Sequence, residues 1–185
     1  NSIAIVAQSD AAKNGTGDGN ITLNILNATP GVLSVISGGS AQGAGVFILN
    51  GLTNTVNNNG LVTSVLGPNG FAVRATTGDD TINNFGAMIG SVDLAAGLNN
   101  YNNRQNAVFA PGVTVYLGPG GLLTNDGLIA PGQYNLILTT DLNGALTQTA
   151  NGVYGVDLNL KTVLADRINV TETASVSGTV AVNLI

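Results

Sequence analysis

Short runs of alternating apolar residues recur along this chain, each about five residues long and closed by Gly, Asn, Asp or Pro. They include Ile21, Leu23 and Ile25; Val46 and Ile48; Phe71 and Val73; Val92 and Leu94; and Val113, Val115 and Leu117. The series continues with Tyr134, Leu136 and Leu138; Val156, Leu158 and Leu160; and Val180, Val182 and Leu184. A period of two places alternate side chains on one face of a strand. No window carries apolar residues at the helical period, so the chain is read as all-β.

The punctuation repeats as well. Asn59-Gly60-Leu61-Val62 is echoed at Asn84-Phe85-Gly86-Ala87-Met88-Ile89 and again at Asn125-Asp126-Gly127-Leu128-Ile129. Gly90-Ser91-Val92-Asp93-Leu94 is echoed from Gly112 to Gly118, and Leu98 to Asn103 is echoed from Gly121 to Asn125. The offsets are 20 to 26 residues. A degenerate repeat of that length in an all-strand sequence predicts a parallel β-solenoid, in which each coil buries its apolar face on the next. Coils of about 20–22 residues, stacked at the strand spacing, predict eight or nine coils over the chain. The 26 Gly and 25 Asn of the 185 residues then serve the turns and stacked side-chain ladders.

From Gln133 onward the spacing changes. Gln133 to Leu138 reads as a strand, and Asn143-Gly144 and Asn151-Gly152 as hairpin turns. Further strands are expected at 153–160, 167–171 and 174–184, with a bend at Ser177-Gly178-Thr179. The expected division is solenoid coils over 1–132 and terminal coils with a capping β-hairpin over 133–185, since an open terminal edge invites aggregation.

Composition removes several chemistries. Without His or Cys there is no Ser-His-Asp triad, no cysteine nucleophile and no His/Cys zinc site. Five dispersed Lys and Arg cannot build a nucleic-acid footprint. With 44% apolar residues and a net charge of −5, disorder is not expected. No apolar run approaches the ~18 residues of a transmembrane helix. No basic segment followed by an apolar run opens the chain, so no signal peptide is expected in it. Because it begins and ends inside apparent strands (Ile3 to Ala7 and Thr179 to Ile185), it is read as an excised piece of a longer protein.

Three segments resemble the passenger regions of bacterial autotransporters. They are Gly78-Asp79-Asp80-Thr81-Ile82-Asn83-Asn84; Gly112 to Gly118 followed by Leu123 to Gly132; and Ala165-Asp166-Arg167-Ile168-Asn169-Val170 through to Val180. The likeness is good over 78–185 and looser over 1–77. It implies a right-handed parallel β-helix outside a Gram-negative outer membrane, secreted by the type V route. It also implies an autochaperone-like C-terminal part that folds first and templates the other coils. Glu172 departs from the pattern, where a small turn residue is expected. The family's signal peptide and C-terminal β-barrel are absent from these residues. The barrel would be a partner, as would ligands on host or neighbouring cells. A monomer is expected, with no cofactor.

Candidate chemistry is sparse. Gly78-Asp79-Asp80-Thr81-Ile82 resembles half of a calcium-binding nonapeptide repeat, but one copy supplies too few oxygens. Asp79 and Asp80 would also point to opposite faces, so a turn is the preferred reading. Paired carboxylates of a glycosidase need a separation of roughly 5–10 Å. Asp79 or Asp80 with Asp93, and Asp141 with Asp157, are the candidates, and each pair is spaced short of a full coil. Arg74, Arg104 and Arg167 are isolated, against the basic residue a polysaccharide lyase would need beside calcium. Tyr101, Tyr116, Phe109 and Phe85 are read as stacking aromatics, with a ligand-contacting stripe as the alternative. The sequons at Asn14, Asn20, Asn27 and Asn169 are discounted, and Asp166-Arg167 reads as a surface ion pair. No catalytic, cofactor or metal residue is assigned. The expected function is a non-enzymatic cell-surface scaffold or adhesin. A polysaccharide-acting β-helix enzyme and a trimeric adhesin or phage fibre are the alternatives.

Overall fold

The computed structural model describes residues 2–10, 19–27, 29, 31–39 and 43–185. Strands dominate it, and the one helical element among the described residues is a 3-10 turn at Gly67–Asn69. The strands fall into three rows, and within each row every ladder is parallel. The first row stacks β2 (Ile21–Ile25), β5 (Thr53–Asn58), β8 (Asp79–Asn84), β10 (Asn100–Asn103), β12 (Leu122–Asn125), β15 (Ala145–Gln148) and β19 (Ala174–Val176). The second stacks β3 (Val35–Gly38), β6 (Leu61–Ser64), the start of β9 (Ala87–Asp93), the start of β11 (Val108–Tyr116), β13 (Leu128–Ile129), β16 (Val153–Asn159) and β20 (Thr179–Leu184). The third stacks β1 (Ile5–Ser9), β4 (Ala44–Asn50), β7 (Phe71–Arg74), the ends of β9 and β11, β14 (Thr139–Asn143) and β18 (Arg167–Val170).

The chain visits the rows in fixed cyclic order, so each row holds one strand per cycle. Successive first-row partners lie 33, 26, 19, 22, 23 and 28 residues apart. The described residues therefore make seven layers, not eight or nine, because several cycles are longer than 22 residues. The extra length goes into connections. The stacks also run through the boundary at 132/133 without interruption.

Alternation along each strand sends one residue in two to the core, and the parallel register stacks these residues into columns. The first row contributes Leu23, Val56, Ile82, Tyr101, Leu123 and Leu146. The second contributes Ile36, Val62, Met88, Phe109, Ile129 and Tyr154. The third contributes Ile5, Val46, Val73, Val92, Val115 and Leu142. Most of these side chains are buried in a single cluster. Halfway along it Tyr101 stacks on Phe109, with ring centroids 4.3 Å apart, and gives its hydroxyl hydrogen to Met88 Sδ at 3.3 Å.

Three further expectations are corrected. Val113 is exposed, because the register shifts between Pro111 and Val115 and reverses the alternation there. Gln133 to Leu138 is not a strand. Gln133 and Asn135 adopt left-handed backbone (φ 75° and 69°), which no strand accommodates. Asn143-Gly144 and Asn151-Gly152 are corners between rows rather than hairpin turns, since the strands they join pair with other layers. The antiparallel ladder in this region lies elsewhere, between β16 and β17 (Leu164–Ala165). The strands expected at 153–160, 167–171 and 174–184 are present, as is the bend at 177–178.

Candidate functional site: buried amide columns and an apolar hollow

Five of the seven first-row strands, β5, β8, β10, β12 and β15, end in a polar side chain inside the protein, whereas β2 ends in the buried Ile25 and β19 in the exposed Val176. Asn58, Asn84, Asn103, Asn125 and Gln148 occupy equivalent positions in five successive layers and are buried. Each side-chain amide donates one hydrogen to the oxygen of the next: Asn58 to Asn84 at 2.8 Å, Asn84 to Asn103 at 2.9 Å, Asn103 to Asn125 at 2.8 Å and Asn125 to Gln148 at 3.1 Å. The second hydrogen of each asparagine goes to a main-chain carbonyl, of Ala87, Val108, Leu128 and Val153 in turn. The amide of Asn58 closes the column at one end by accepting the Gly60 N–H. At the other end, Gln148 donates to the Ser177 carbonyl at 2.7 Å. An amide is neutral and both donates and accepts, so it can be repeated along a column without building up charge.

A glycine follows the column two residues on at three corners, as Gly60, Gly86 and Gly127. A Cβ on Gly86 would lie 2.2 Å from the Gly60 carbonyl oxygen, so the corners pack backbone on backbone. On the outer face of the first row, Asn24, Asn57, Asn83 and Asn102 form a second ladder at 2.9–3.1 Å, running in the opposite donor direction. Arg104 also donates to Asn83 Oδ1.

The candidate carboxylates do not converge on a cleft. Asp79 is exposed and accepts the Leu98 N–H, while Asp80, on the opposite face, is buried beside Asn54. Asp93 lies 4.0 Å from Arg74, and Asp141 accepts from Asn169 on the surface. Asp157 is drawn instead to Asp166, a pairing that sequence spacing did not single out. Asp166 accepts the N–H groups of Asp157 and Leu138 at 2.7 Å each, and Asp157 accepts from Leu136 N–H and Asn183. The two carboxylates thus clasp the irregular segment before β14 onto β16. Asp166 is accordingly a buried backbone acceptor rather than one half of a surface ion pair. Burial pushes its carboxyl above the usual range, against the two backbone hydrogen bonds. Hydrogen bonds from Thr149 and Asn151 instead hold the Asp126 carboxyl below its usual range.

The aromatic set divides. Tyr101 and Phe109 are core, whereas Phe85 and Tyr116 are exposed. The Arg104 guanidinium lies 5.9 Å from the Phe85 ring. Glu172, the unexpected turn residue, accepts the Gly120 N–H at 2.9 Å and so ties two corners together. Asn20, Asn27 and Asn169 are described, while Asn14 lies outside the described residues.

A concavity lies near the C-terminal end of the stacks. A hollow of about 350 Å³ is lined by Ile129, Leu146, Tyr154, Ile168, Val170 and Val176. Burial first, and then the nearby Asp166 charge, push the Tyr154 hydroxyl up to about 12, with Arg167 opposing. On β20, Val180, Val182 and Leu184 share the side of Tyr154 yet are exposed. Among the described residues no group of His, Cys, Asp and Glu could hold a metal ion, and no helix is long and apolar enough to cross a membrane. No family model, curated protein or solved structure matches the chain.

Proposed function

We propose that this chain is a right-handed parallel β-helix from the C-terminal part of an autotransporter passenger. It serves as a non-enzymatic, rod-like scaffold or adhesin at the cell surface. The observation that carries this reading is the set of three inward columns, with like side chains stacked layer on layer and an amide column beside them. The general rule that parallel crossover connections are right-handed supports the hand. The resemblance over 78–185 supports the family. A chain with 8% charged residues and no Cys suits passage through an outer-membrane pore unfolded, and layer-on-layer burial supplies folding free energy outside without ATP. In this reading 133–185 is the folding nucleus, supported by the Asp157 and Asp166 clasp and by the apolar side chains that β20 presents beyond the last layer. The passenger's own barrel and ligands on other cells are its partners.

The test is deletion of 165–185 from the full-length parent chain. The expected result is reduced surface display and slower refolding of the isolated passenger. Unchanged display and rate would refute the nucleus. Release of unsaturated or reducing sugar from pectin-like polymers would refute the non-enzymatic assignment.

A further inference from the structure

Asp80 occupies the place of an amide. It pairs in register with Asn54 of β5, and its own N–H donates to Asn99 Oδ1 at 2.8 Å, so asparagines lie on both sides of it. In the neighbouring column, Asn84, Asn103 and Asn125 each accept through oxygen and donate through nitrogen. A carboxylate can only accept, whereas a carboxylic acid does both. Asn54 Nδ2 donates to Asp80 Oδ1 at 2.8 Å. The two remaining oxygens, Asn54 Oδ1 and Asp80 Oδ2, have no hydrogen-bond partner, although the residues are 0% and 1% exposed. Both are acceptors as long as Asp80 is ionised, and leaving two buried acceptors unpaired is costly.

We infer that the folded chain carries Asp80 as the neutral acid, with its Oδ2–H donating to Asn54 Oδ1 and closing a two-bond acid–amide ring. The proton comes from solvent, and no other group changes. The electrostatic surroundings agree. Asp79 is the charged neighbour on β8 and opposes ionisation. The flanking strands β5 and β10 carry only Asn, Thr, Val and, at Tyr101, a phenol. In the third row Arg74 faces Asp93 and the rings of Phe47 and Phe71. Burial is the largest influence and pushes the carboxyl from 3.8 up to about 6, against the Asn54 hydrogen bond. A raised folded value means the stabilisation is complete below the unfolded value and is lost as pH rises through about 6. The fold thereby contains a proton site that tightens the first row under mild acid.

The test compares wild type with Asp80→Asn, which rebuilds the ring with an amide hydrogen in place of the acid hydrogen. Equilibrium unfolding is measured at about pH 4 and about pH 7.5, between which the wild-type folding constant falls by roughly fiftyfold through this site. Other carboxylates contribute to both proteins equally, so the wild-type-to-variant ratio isolates Asp80. The expected result is that D80N loses this component and is the more stable protein at the higher pH. A D80N that is less stable there, fails to fold, or keeps the wild-type pH dependence would overturn the inference. Carbon-13 NMR of the Asp80 carboxyl reads the proton directly. A midpoint near 6 is expected, and a midpoint at or below 4 would overturn it.

Discussion

Asn84→Ala removes the middle of the buried amide column and gives the most direct measure of what that column contributes. The side chain takes part in three hydrogen bonds: from Asn58 at 2.8 Å, to Asn103 at 2.9 Å and to the Val108 carbonyl at 2.9 Å. Truncation leaves one Asn58 hydrogen, the Asn103 oxygen and the Val108 oxygen without this partner in a region closed to water. Each orphaned buried group costs about 1–3 kcal/mol, so the three together give an expected loss of ~3–9 kcal/mol. That is a large fraction of the ~5–15 kcal/mol that holds a typical domain folded. Asn83→Ala is the internal control. Its side chain also joins a ladder, at 3.0 and 3.1 Å, but on the outer face, where water can replace the lost partners. Its expected cost is below ~1 kcal/mol. Asn84→Leu separates hydrogen bonding from packing, since it refills the volume but leaves the same three groups unpaired. Urea unfolding followed by far-UV circular dichroism, at constant m, gives the three free energies. The reasoning is refuted if Asn84→Ala and Asn83→Ala cost the same, or if Asn84→Leu restores wild-type stability.

Two further outcomes test the corners and the clasp. Gly86→Ala drives a Cβ to 2.2 Å from the Gly60 carbonyl oxygen and should cost ~2–3 kcal/mol by overpacking. Gly120→Ala meets only Leu98 Cδ1 at 3.6 Å and should cost about 1 kcal/mol, from its positive φ, so thermal melting should rank the two. Asp166→Ala removes the acceptor for Leu138 and Asp157 N–H. Limited proteolysis should then cut within 131–138 well before any other described segment, and wild-type resistance there would contradict the clasp.

The sequence carried the layers well because each layer is nearly local in pattern. The echo between Leu98–Asn103 and Gly121–Asn125 corresponds to Tyr101 over Leu123 and Asn103 over Asn125 in the structure. The echo around Gly60 and Gly86 holds too, but the aligned amide is Asn58 with Asn84, not Asn59. Where sequence reading failed, long-range contacts outweighed local preference. Tyr134, Leu136 and Leu138 alternate as a strand should. Yet left-handed backbone at Gln133 and Asn135, with capture of Leu136 and Leu138 N–H by two distant aspartates, withholds the segment from any ladder. Val113 alternates correctly in sequence, but the register shift after Pro111 turns it outward. The Asp157 and Asp166 association follows from the antiparallel pairing of β16 with β17, which sets the two residues opposite each other beyond the Leu158–Ala165 pair, and the spacing of carboxylates along coils does not register such a local reversal.

The buried columns also explain why so few charges suffice. Each layer must satisfy the main-chain groups at its corners, and an asparagine does so while passing one hydrogen bond to the next layer. A column of carboxylates would bury like charges at the strand spacing, and a column of lysines would offer donors with no acceptors. Neutral amides are therefore the side chains that can be repeated from Asn58 to Gln148. Asp80 is the informative exception. An acid can stand in an amide's position only by binding a proton, so this one substitution makes the stability of the first row depend on pH where the all-amide column beside it does not.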